Sequence, residues 1–429
     1  MKVPFNNFQI SKENNEILCN NHKYSNINDN KYIKEFEKNF ANYINTKYCI
    51  QINSGINVLK TALEALKIKK NEEILIQGNM STVDLVDLIK LGYKFKCLDI
   101  NPDTLMVDVT KIEENIEKDT KAIIVSHTYG YCADMDNIME IAKNHNLYVI
   151  EDVTDAIGSL YKKKKLGSIG DIGCFSFNAK CNLKVLGNCG ALTTNNEKIY
   201  NDLINIDEIM KNNEQNECYT KYIFPNCLDH IQAHMLNNNL TVLDNLNKMR
   251  RKIRGQYKKC LSGSKDILIP EQKSLCDSCS NLFIIKVMSK QIRDKLREYL
   301  NHYSIDTKIH INIEHLIEQW DTQQIKHEVK LVNIQNILDC VIYLPMYFEL
   351  SEDKIKFISL KLKKYFHRGN LMRTLYKKVV NDLSADKTKT YKFASINKAG
   401  FMTWFKDDRT TKQERVTARA LIKSKRITF

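Results

Sequence analysis

The chain has 429 residues, of which 43% are apolar and 27% charged, and a net charge of +14. This composition is typical of a soluble globular protein long enough for two or more domains. A run of about 18 apolar residues is absent, so we predict no transmembrane span, and the first residues lack the apolar segment of a signal peptide.

The positive charge is concentrated at the C-terminal end. From Arg368 to Phe429 there are 16 lysines and arginines against 5 acidic residues, a net charge of +11, which leaves +3 for the remaining chain. The body is therefore close to neutral. This argues against nucleic-acid binding by the body and leaves it open for the tail.

Thirteen cysteines occur in the chain. Without an export signal they are interpreted as reduced thiols, so we expect a cytoplasmic protein. Cys276 and Cys279 have the CxxC spacing, but a zinc site usually needs a second pair and none stands nearby. We therefore interpret this pair as ordinary thiols rather than as a metal or redox site.

Short apolar runs alternate with helical patterns along the first half of the chain. The pattern begins with a helix over Tyr32–Ile44, where apolar residues recur at helical spacing. Strands are predicted at Cys49–Ile52, Glu73–Gln77, Lys121–His127 and Leu147–Asp152. This alternation predicts βαβ units and a mostly parallel sheet, in which ligands bind beyond the carboxyl ends of the strands.

A different pattern follows Asp229. A long helical stretch ends near Leu261, and then NLFIIKVM predicts a strand and IRDKLREYLNHY a helix. The stretch DKIKFISLKLKKYF predicts a last amphipathic helix. We therefore predict a large α/β domain over residues 1–239, a small α/β domain over 240–366 and a basic accessory tail over 367–429.

Several motifs stand in one order along the chain. They are VPFN near the N-terminus, NSG at Asn53–Gly55, HTYGYCADMDNIMEIAKNHNLYVIED from His127, GSIGDIGCFSF over Gly167–Phe177 and YLPMYFELSEDKI from Tyr343. In this order they resemble the DegT/StrS family of nucleotide-sugar aminotransferases, over about Lys2 to Phe366. The resemblance implies the aspartate-aminotransferase type of α/β fold, pyridoxal phosphate as cofactor, a nucleotide-sugar substrate, an amino-acid donor and a homodimer.

The resemblance also assigns roles to residues that follow strands. Asp152 stands where the family has the carboxylate beside the pyridine nitrogen of the cofactor. Ser54, Gly55 and Ser176 match positions that bind the cofactor's phosphate, although Ile56 replaces the usual threonine. For Asp152 and the serines, the alternative is a simple capping or turn role.

The catalytic lysine of the family is missing from its place. The family has three residues after FSF and then the lysine that forms the Schiff base. Here those three residues are Asn178, Ala179 and Lys180, and Cys181 stands at the lysine position. A thiol cannot form that bond. Lys180 would face away on an extended segment, but a compensating shift of one residue would restore it, so Lys180 is the predicted catalytic lysine and Lys184 a poorer candidate.

Other positions that contact the cofactor in the family differ as well. Ser81 stands where the family has a stacking aromatic ring, and Asp155 where it has a glutamine near the phenolic oxygen. The residues at 225–227 replace an Asn-Tyr-Arg motif, which removes an anion-binding arginine. Cys189 replaces one glycine of a pair. We therefore expect pyridoxal phosphate to bind weakly, if it binds.

Three functions are open from the sequence. The first is a sugar aminotransferase with a displaced lysine, which moves an amino group from glutamate to a keto-sugar nucleotide. The second is a catalytically inactive homologue that keeps the dimeric scaffold as a binding or regulatory partner. The third is a sugar-modifying enzyme of another reaction type. The residues support the first two functions equally, and the role of Lys180 discriminates between them.

The tail lies beyond the resemblance. Its basic residues are interleaved with aromatic ones, a mixture that suits contact with nucleic acid or an anionic surface. The aromatic residues are Tyr391, Phe393, Phe401, Trp404 and Phe405. The alternatives are a small appended helical unit or a solvated tail. We predict a partly folded segment that the body does not need for its fold.

Overall fold

The computed structural model describes residues 2–6, 14, 31–52, 57–80, 85, 88–213, 228–270, 275–309, 325–326 and 331–367. Met1–Leu360 form one compact unit, and the chain from Lys361 onward belongs to a second. Apart from His367, the predicted basic tail lies outside the described residues. The boundary predicted between residues 239 and 240 falls within one continuous helix, His230–Leu261, so the division into a large and a small domain stays a prediction.

Strands and helices alternate along the described chain. The strands are β1 (Tyr48–Ile52), β2 (Glu73–Gln77), β3 (Lys94–Leu98), β4 (Thr120–Ser126), β5 (Tyr148–Asp152), β6 (Leu160–Tyr161), β7 (Lys164–Lys165), β8 (Ile172–Phe177), β9 (Cys189–Thr194), β10 (Cys276–Asp277), β11 (Phe283–Lys286), β12 (Ile325–Lys326) and β13 (Val341–Leu344). The helices are α1 (Lys31–Ile44), α2 (Asn57–Ala65), α3 (Met135–His145), α4 (Glu197–Asn213), α5 (His230–Leu261), α6 (Lys290–His302), α7 (Val332–Leu338) and α8 (352–367). These elements confirm the predicted alternation and the long helix after Asp229.

A central sheet of eight strands organises the described residues. Its order is β1-β9-β8-β5-β4-β2-β3-β12. Strand β9 is antiparallel to both neighbours, and all other neighbouring pairs are parallel. The carboxyl ends of β4, β5 and β8 therefore meet at one edge of the sheet, with the start of β9 beside them. The sheet is mixed, and its mostly parallel pairing confirms the prediction made from the alternation of strands and helices.

Helix α1 packs aromatic side chains on β8. Phe40 lies edge-on to Phe175 and Phe177, with ring centroids 4.9 and 5.4 Å apart, and Phe36 lies 5.8 Å from Phe177. Such pairs contribute about 0.5–1.5 kcal/mol each beyond the buried area. The FSF motif is thus a packing motif in addition to carrying Ser176 on the opposite face.

Helix α5 links the sheet to the C-terminal region. Asp229 and Gln232 form a capping box at its start. Near its end, Tyr257 stacks on Phe283 of β11 at 4.4 Å and donates a hydrogen bond to the carbonyl of Pro345 at 2.9 Å. Strands β11 and β13 pair there as a separate two-stranded antiparallel sheet. Within the described ranges, no helix combines the length and apolarity needed to cross a membrane.

Glu151 of β5 holds the turn that precedes β8. One carboxylate oxygen accepts the N–H of Gly167 at 2.9 Å, and the other accepts those of Ile169 and Gly170 at 2.8 and 2.7 Å. Gly167 has a φ of +87°, and a Cβ there would collide with the ring of Phe175. The GSIG turn therefore needs both this glycine and this buried acid.

His127 completes the hydrogen bonds of Glu151. The N–H of Ala133 donates to His127 Nδ1 at 3.2 Å, so the ring proton lies on Nε2, 3.1 Å from a Glu151 oxygen. Burial alone would raise the pKa of Glu151, but the hydrogen bonds from His127 and from the backbone N–H groups outweigh it, and the pKa lies below its usual value.

Replacing Glu151 with Gln is expected to lower the free energy of unfolding by roughly 3–5 kcal/mol, because an amide NH₂ then faces donors inside a buried network. Urea unfolding at neutral pH measures this. Glu113→Gln is the control, since it removes only an exposed pair with His145 and should cost less than about 1 kcal/mol.

The difference in stability between wild type and Glu151→Gln should depend on pH. A carboxyl whose folded pKa is lowered stabilises the fold above its unfolded pKa, and this contribution is lost as the pH falls through the folded pKa. The difference between wild type and Glu151→Gln should therefore shrink in acid. A difference that stays constant, or equal losses in Glu151→Gln and Glu113→Gln, would contradict the role assigned to Glu151.

Candidate active site

Asp152 ends β5 at the carboxyl edge of the sheet, and its side chain is only 6% exposed. Ser126, which ends the neighbouring strand β4, donates its hydroxyl to Asp152 Oδ2 at 2.8 Å, and the N–H of Thr154 donates to Oδ1 at 3.1 Å. Both bonds hold the carboxylate in one orientation. A buried and oriented carboxylate suits a protonated pyridine nitrogen.

Ser176 lies close to Asp152 in the sheet. Strand β8 pairs with β5 so that Cys174 is opposite Asp152, and Ser176 follows two residues later on the same face as Cys174. Its side chain is partly buried. The structure thus brings these two predicted residues to one edge. The predicted positions outside the described residues are Ser54, Gly55, Ser81 and 225–227.

Asp155 lies three residues beyond Asp152. Its Oδ2 accepts the N–H of Tyr129 at 3.3 Å, and the side chain of Asn281 is hydrogen-bonded to its carboxylate. Burial and, second, the negative charge of Asp152 raise the pKa of Asp155 to about 6. Asp155 therefore takes up a proton in mildly acidic solution.

Further polar side chains near Asp155 were not predicted from the sequence. The hydroxyl groups of Tyr129 and Tyr343 are hydrogen-bonded, with ring centroids 5.7 Å apart, and Tyr129 is also hydrogen-bonded to Asn79. Asn79 donates to the carbonyl of Leu105 at 2.8 Å. Tyr129 and Asn79 could have been predicted from the sequence, because each follows a strand of the parallel sheet, where ligand-binding residues are expected. Tyr343 could not have been predicted, because it belongs to a separate sheet.

The segment after β8 buries Cys181 and exposes Lys180. Cys181 is 3% exposed. The N–H of Lys180 donates to Asn178 Oδ1 at 2.8 Å, and its carbonyl accepts from Asn281 Nδ2 at 2.9 Å. Because Asn281 also contacts Asp155, the backbone of Lys180 borders the Asp155 site. The catalytic role of Lys180 stays a prediction.

Lys308 adds a second positive charge near Lys180. Its ammonium group lies 4.6 Å from the ring centroid of Phe5, and its backbone pairs with Tyr343. Partial burial and, second, the charge of Lys180 lower the pKa of Lys308. Neither lysine forms an ion pair with another described residue.

Lys184 is the other lysine near Cys181. It is partly buried, and its Nζ lies 5.6 Å from the ring centroid of Phe348. Burial and, second, the charge of Arg250 lower the pKa of Lys184 to about 8. A fraction of this amine is therefore unprotonated in mildly alkaline solution, the state that a nucleophilic lysine requires.

The described residues fit the pyridine nitrogen of pyridoxal phosphate but not its aldehyde group. Asp152 suits the pyridine nitrogen, as argued from its two fixed hydrogen bonds. The thiol of Cys181 does not suit the aldehyde, which requires an amine. No cluster of histidine, cysteine and acidic side chains in the described ranges could hold a metal ion.

A mixed, mostly parallel α/β sheet with an oriented, buried acid at its carboxyl edge is compatible with an aminotransferase-type scaffold. The chain matches the DegT/DnrJ/EryC1/StrS aminotransferase family over residues 9–363 and belongs to that family. This confirms the resemblance stated from the motifs.

Among the curated relatives are transaminases of dTDP-linked sugars. The dTDP-3-amino-3,6-dideoxy-alpha-D-galactopyranose transaminase of Aneurinibacillus thermoaerophilus is 31% identical over 283 residues, which are 66% of this chain and 76% of the relative. The dTDP-3-amino-3,4,6-trideoxy-alpha-D-glucose transaminase of Streptomyces venezuelae is 28% identical and covers 65% of this chain and 72% of its own length.

Solved structures of related enzymes share the fold. DesV of S. venezuelae, crystallised in complex with a ketimine intermediate, superposes with a TM-score of 0.74 at 25% identity, covering 85% of this chain and 98% of DesV. NtdA of Bacillus subtilis, with bound cofactor PMP, gives a TM-score of 0.73 at 26% identity and covers 85% of each chain. The predicted fold class is thereby confirmed.

Asp155→Asn is expected to raise the free energy of unfolding more at pH 7 than at pH 4, by roughly 1–3 kcal/mol. A carboxyl whose folded pKa is raised imposes no penalty below its unfolded pKa, where it is protonated in both states. The penalty grows as the pH rises through the folded value of about 6. The amide keeps the shape of the side chain and removes the charge.

Urea unfolding of both proteins at the two pH values measures this difference. Asp103→Asn, at an exposed turn, is the control and should show no such pH dependence. A stability difference between wild type and Asp155→Asn that is the same at both pH values would rule out the electrostatic assignment.

Proposed function

We propose that this protein is a nucleotide-sugar aminotransferase that moves an amino group from an amino-acid donor to a keto-sugar nucleotide, in the synthesis of polysaccharide or glycan precursors. The observation that carries the proposal is the buried carboxylate of Asp152, fixed by Ser126 and Thr154 at the ligand-binding edge of the sheet. Family membership and the sugar-nucleotide transaminases among the relatives support it.

The cofactor roles are proposed for the residues that match the family's motifs. Asp152 binds the ring nitrogen of pyridoxal phosphate, and Ser176, with Ser54 and Gly55, binds its phosphate. The cofactor, when bound, supplies the electron sink for amino transfer. Lys308 contributes positive charge that suits the diphosphate of a nucleotide sugar.

The amine is assigned to Lys180 in this proposal. Two contacts support that choice. The Lys180 carbonyl is held by Asn281, whose amide also contacts Asp155, so the backbone next to Cys181 borders the acid pair. A shift of one residue in this short segment would turn the Lys180 side chain inward in place of Cys181.

A second candidate function rests on the burial of Cys181. A buried thiol at the lysine position, together with a carboxylate at Asp155, favours a catalytically inactive homologue. Such a protein would keep the scaffold, hold pyridoxal phosphate weakly and act as a binding or regulatory partner.

Borohydride trapping separates the two candidates. The full-length protein is mixed with pyridoxal phosphate, reduced with borohydride, digested and mapped by mass spectrometry. The aminotransferase proposal predicts one modified peptide with the cofactor fixed at Lys180. Lys180→Ala should lose this product, while Lys184→Ala, which removes the neighbouring lysine of lowered pKa, should retain it. Absence of any fixed cofactor in the wild type would favour the inactive homologue.

Cys181→Lys tests whether the remainder of the site is intact. The introduced amine should trap pyridoxal phosphate at residue 181 and raise the affinity for the cofactor at least about tenfold, an effect of about 1.4 kcal/mol. Cys181→Ala is the control and should show no gain. Failure of Cys181→Lys to bind the cofactor, in a folded protein, would mean that Asp152 and Ser176 no longer form a cofactor site.

We also propose a homodimer with part of α5 at its interface. Val242 and Met249 are 44% and 49% exposed and lie seven residues apart on one face of this helix. Exposed apolar groups aligned in this way suit a second copy of the chain.

Met249→Glu is therefore expected to weaken self-association, because it places a charge in an apolar contact. Sedimentation equilibrium at micromolar concentration measures the dissociation constant. Met288→Glu changes a more exposed methionine outside α5, 67% exposed, and should have little effect. A wild-type monomer under these conditions would remove the dimer from the proposal.

A further inference from the structure

Cys132 and Cys276 meet in space although 144 residues separate them. Cys276 Sγ lies 4.0 Å from the carbonyl oxygen of Cys132, and the two thiols are hydrogen-bonded to each other. Neither forms a disulfide in the structure. Cys132 is buried, whereas Cys276 is partly exposed and therefore accessible to small molecules.

Regular structure positions both thiols over strand β6. Strand β10 pairs antiparallel with β6, and Cys276 is opposite Tyr161. Cys132 Sγ lies 3.4 Å from the carbonyl oxygen of Leu160, the neighbouring residue of the same strand. The proximity of the thiols therefore follows from backbone pairing rather than from one flexible side chain.

The CxxC spacing does not identify this pair. Cys279 is buried elsewhere, with its Sγ 3.3 Å from the carbonyl oxygen of Gly158 and 2.6 Å from a guanidinium nitrogen of Arg251. Cys276 instead faces Cys132. The structure thus assigns the two cysteines of the motif to different environments.

The order of reactivity follows from exposure and hydrogen bonding. Its hydrogen bond with Cys276 and, second, burial favour the protonated form of Cys132 and raise its pKa well above the usual value. Cys132 is therefore a poor first nucleophile toward a dissolved oxidant. Cys276 is the accessible member of the pair.

We propose that Cys132 and Cys276 form a reversible disulfide by exchange with a low-molecular-weight disulfide such as oxidised glutathione. The Cys276 thiolate attacks one sulfur of oxidised glutathione and releases one glutathione thiolate. Cys132 then loses its proton to solvent and attacks the sulfur of Cys276, which breaks the mixed disulfide and releases the second glutathione. Two protein thiols are oxidised, and one glutathione disulfide is reduced to two thiols.

The disulfide would join two segments that border the candidate active site. Cys132 follows the turn that contains Tyr129, whose N–H donates to Asp155. Cys276 precedes Asn281, whose side chain contacts Asp155 and the carbonyl of Lys180. Oxidation would therefore fix the segment that contains Tyr129 relative to the segment that contains Asn281, and both segments contact Asp155. This inference stands whether or not the protein is an aminotransferase.

Non-reducing peptide mapping tests the proposal. Full-length protein is incubated with oxidised glutathione, its remaining thiols are alkylated, and it is digested without reductant. We expect a crosslinked Cys132–Cys276 peptide, lost in Cys276→Ser and retained in Cys279→Ser. The melting temperature should rise by several degrees on oxidation, because the crosslink restricts a long loop of the unfolded chain, and return with dithiothreitol.

Other outcomes would overturn the proposal. A Cys276–Cys279 crosslink would show that the sequence motif, and not the spatial pair, reacts. Glutathione adducts on Cys276 without any Cys132 crosslink would show that the buried thiol does not complete the exchange. The wild-type map decides between these results even if a serine variant fails to fold.

Discussion

The buried carboxylate of Glu151 fixes the turns at the carboxyl edge of the sheet through its hydrogen bonds. Glu151 accepts three backbone N–H groups from the turn before β8 and the ring N–H of His127 after β4. A carboxylate taken out of water is destabilising unless its lone pairs are filled, and here they are filled. The strands on either side of β5 are thereby fixed at the place where Asp152, the next residue, ends the strand. The orientation of Asp152 depends on this arrangement.

A second constraint comes from the short stretch between β10 and β11. Ser278 donates its hydroxyl to the carbonyl of Gly130 at 2.5 Å, and the N–H of Cys279 donates to Ser159 Oγ at 2.8 Å. Asn281 reaches Asp155 and Lys180. A Cβ on Gly130, which has a φ of +77°, would run into Ser280. Three of the four residues at 278–281 thus hydrogen-bond to the loops that surround the candidate site.

The sequence predicts what depends on neighbours along the chain. The predicted strand Glu73–Gln77 is strand β2 of the structure, and Asp152 ends its strand as predicted. Both predictions succeeded because the pattern of apolar residues depends on neighbours along the chain. Asn281, Lys308 and Tyr343 could not be predicted, since they reach the site through long-range packing of a separate sheet. The CxxC spacing was uninformative for the same reason. The partner of Cys276 lies 144 residues away.

Asn281 connects Asp155 with the segment that contains Cys181, because its side chain contacts Asp155 and the carbonyl of Lys180. Asp152 and Asp155 repel each other, and neither forms an ion pair within the described part of the chain; burial and this repulsion raise the pKa of Asp155. A lysine in place of Cys181 would add a cation and lower that pKa. A protonated pyridine nitrogen bound at Asp152 would do the same. The acid pair therefore favours a cationic ligand at this edge even without the lysine, and the protonation of Asp155 should respond to whether that ligand is bound.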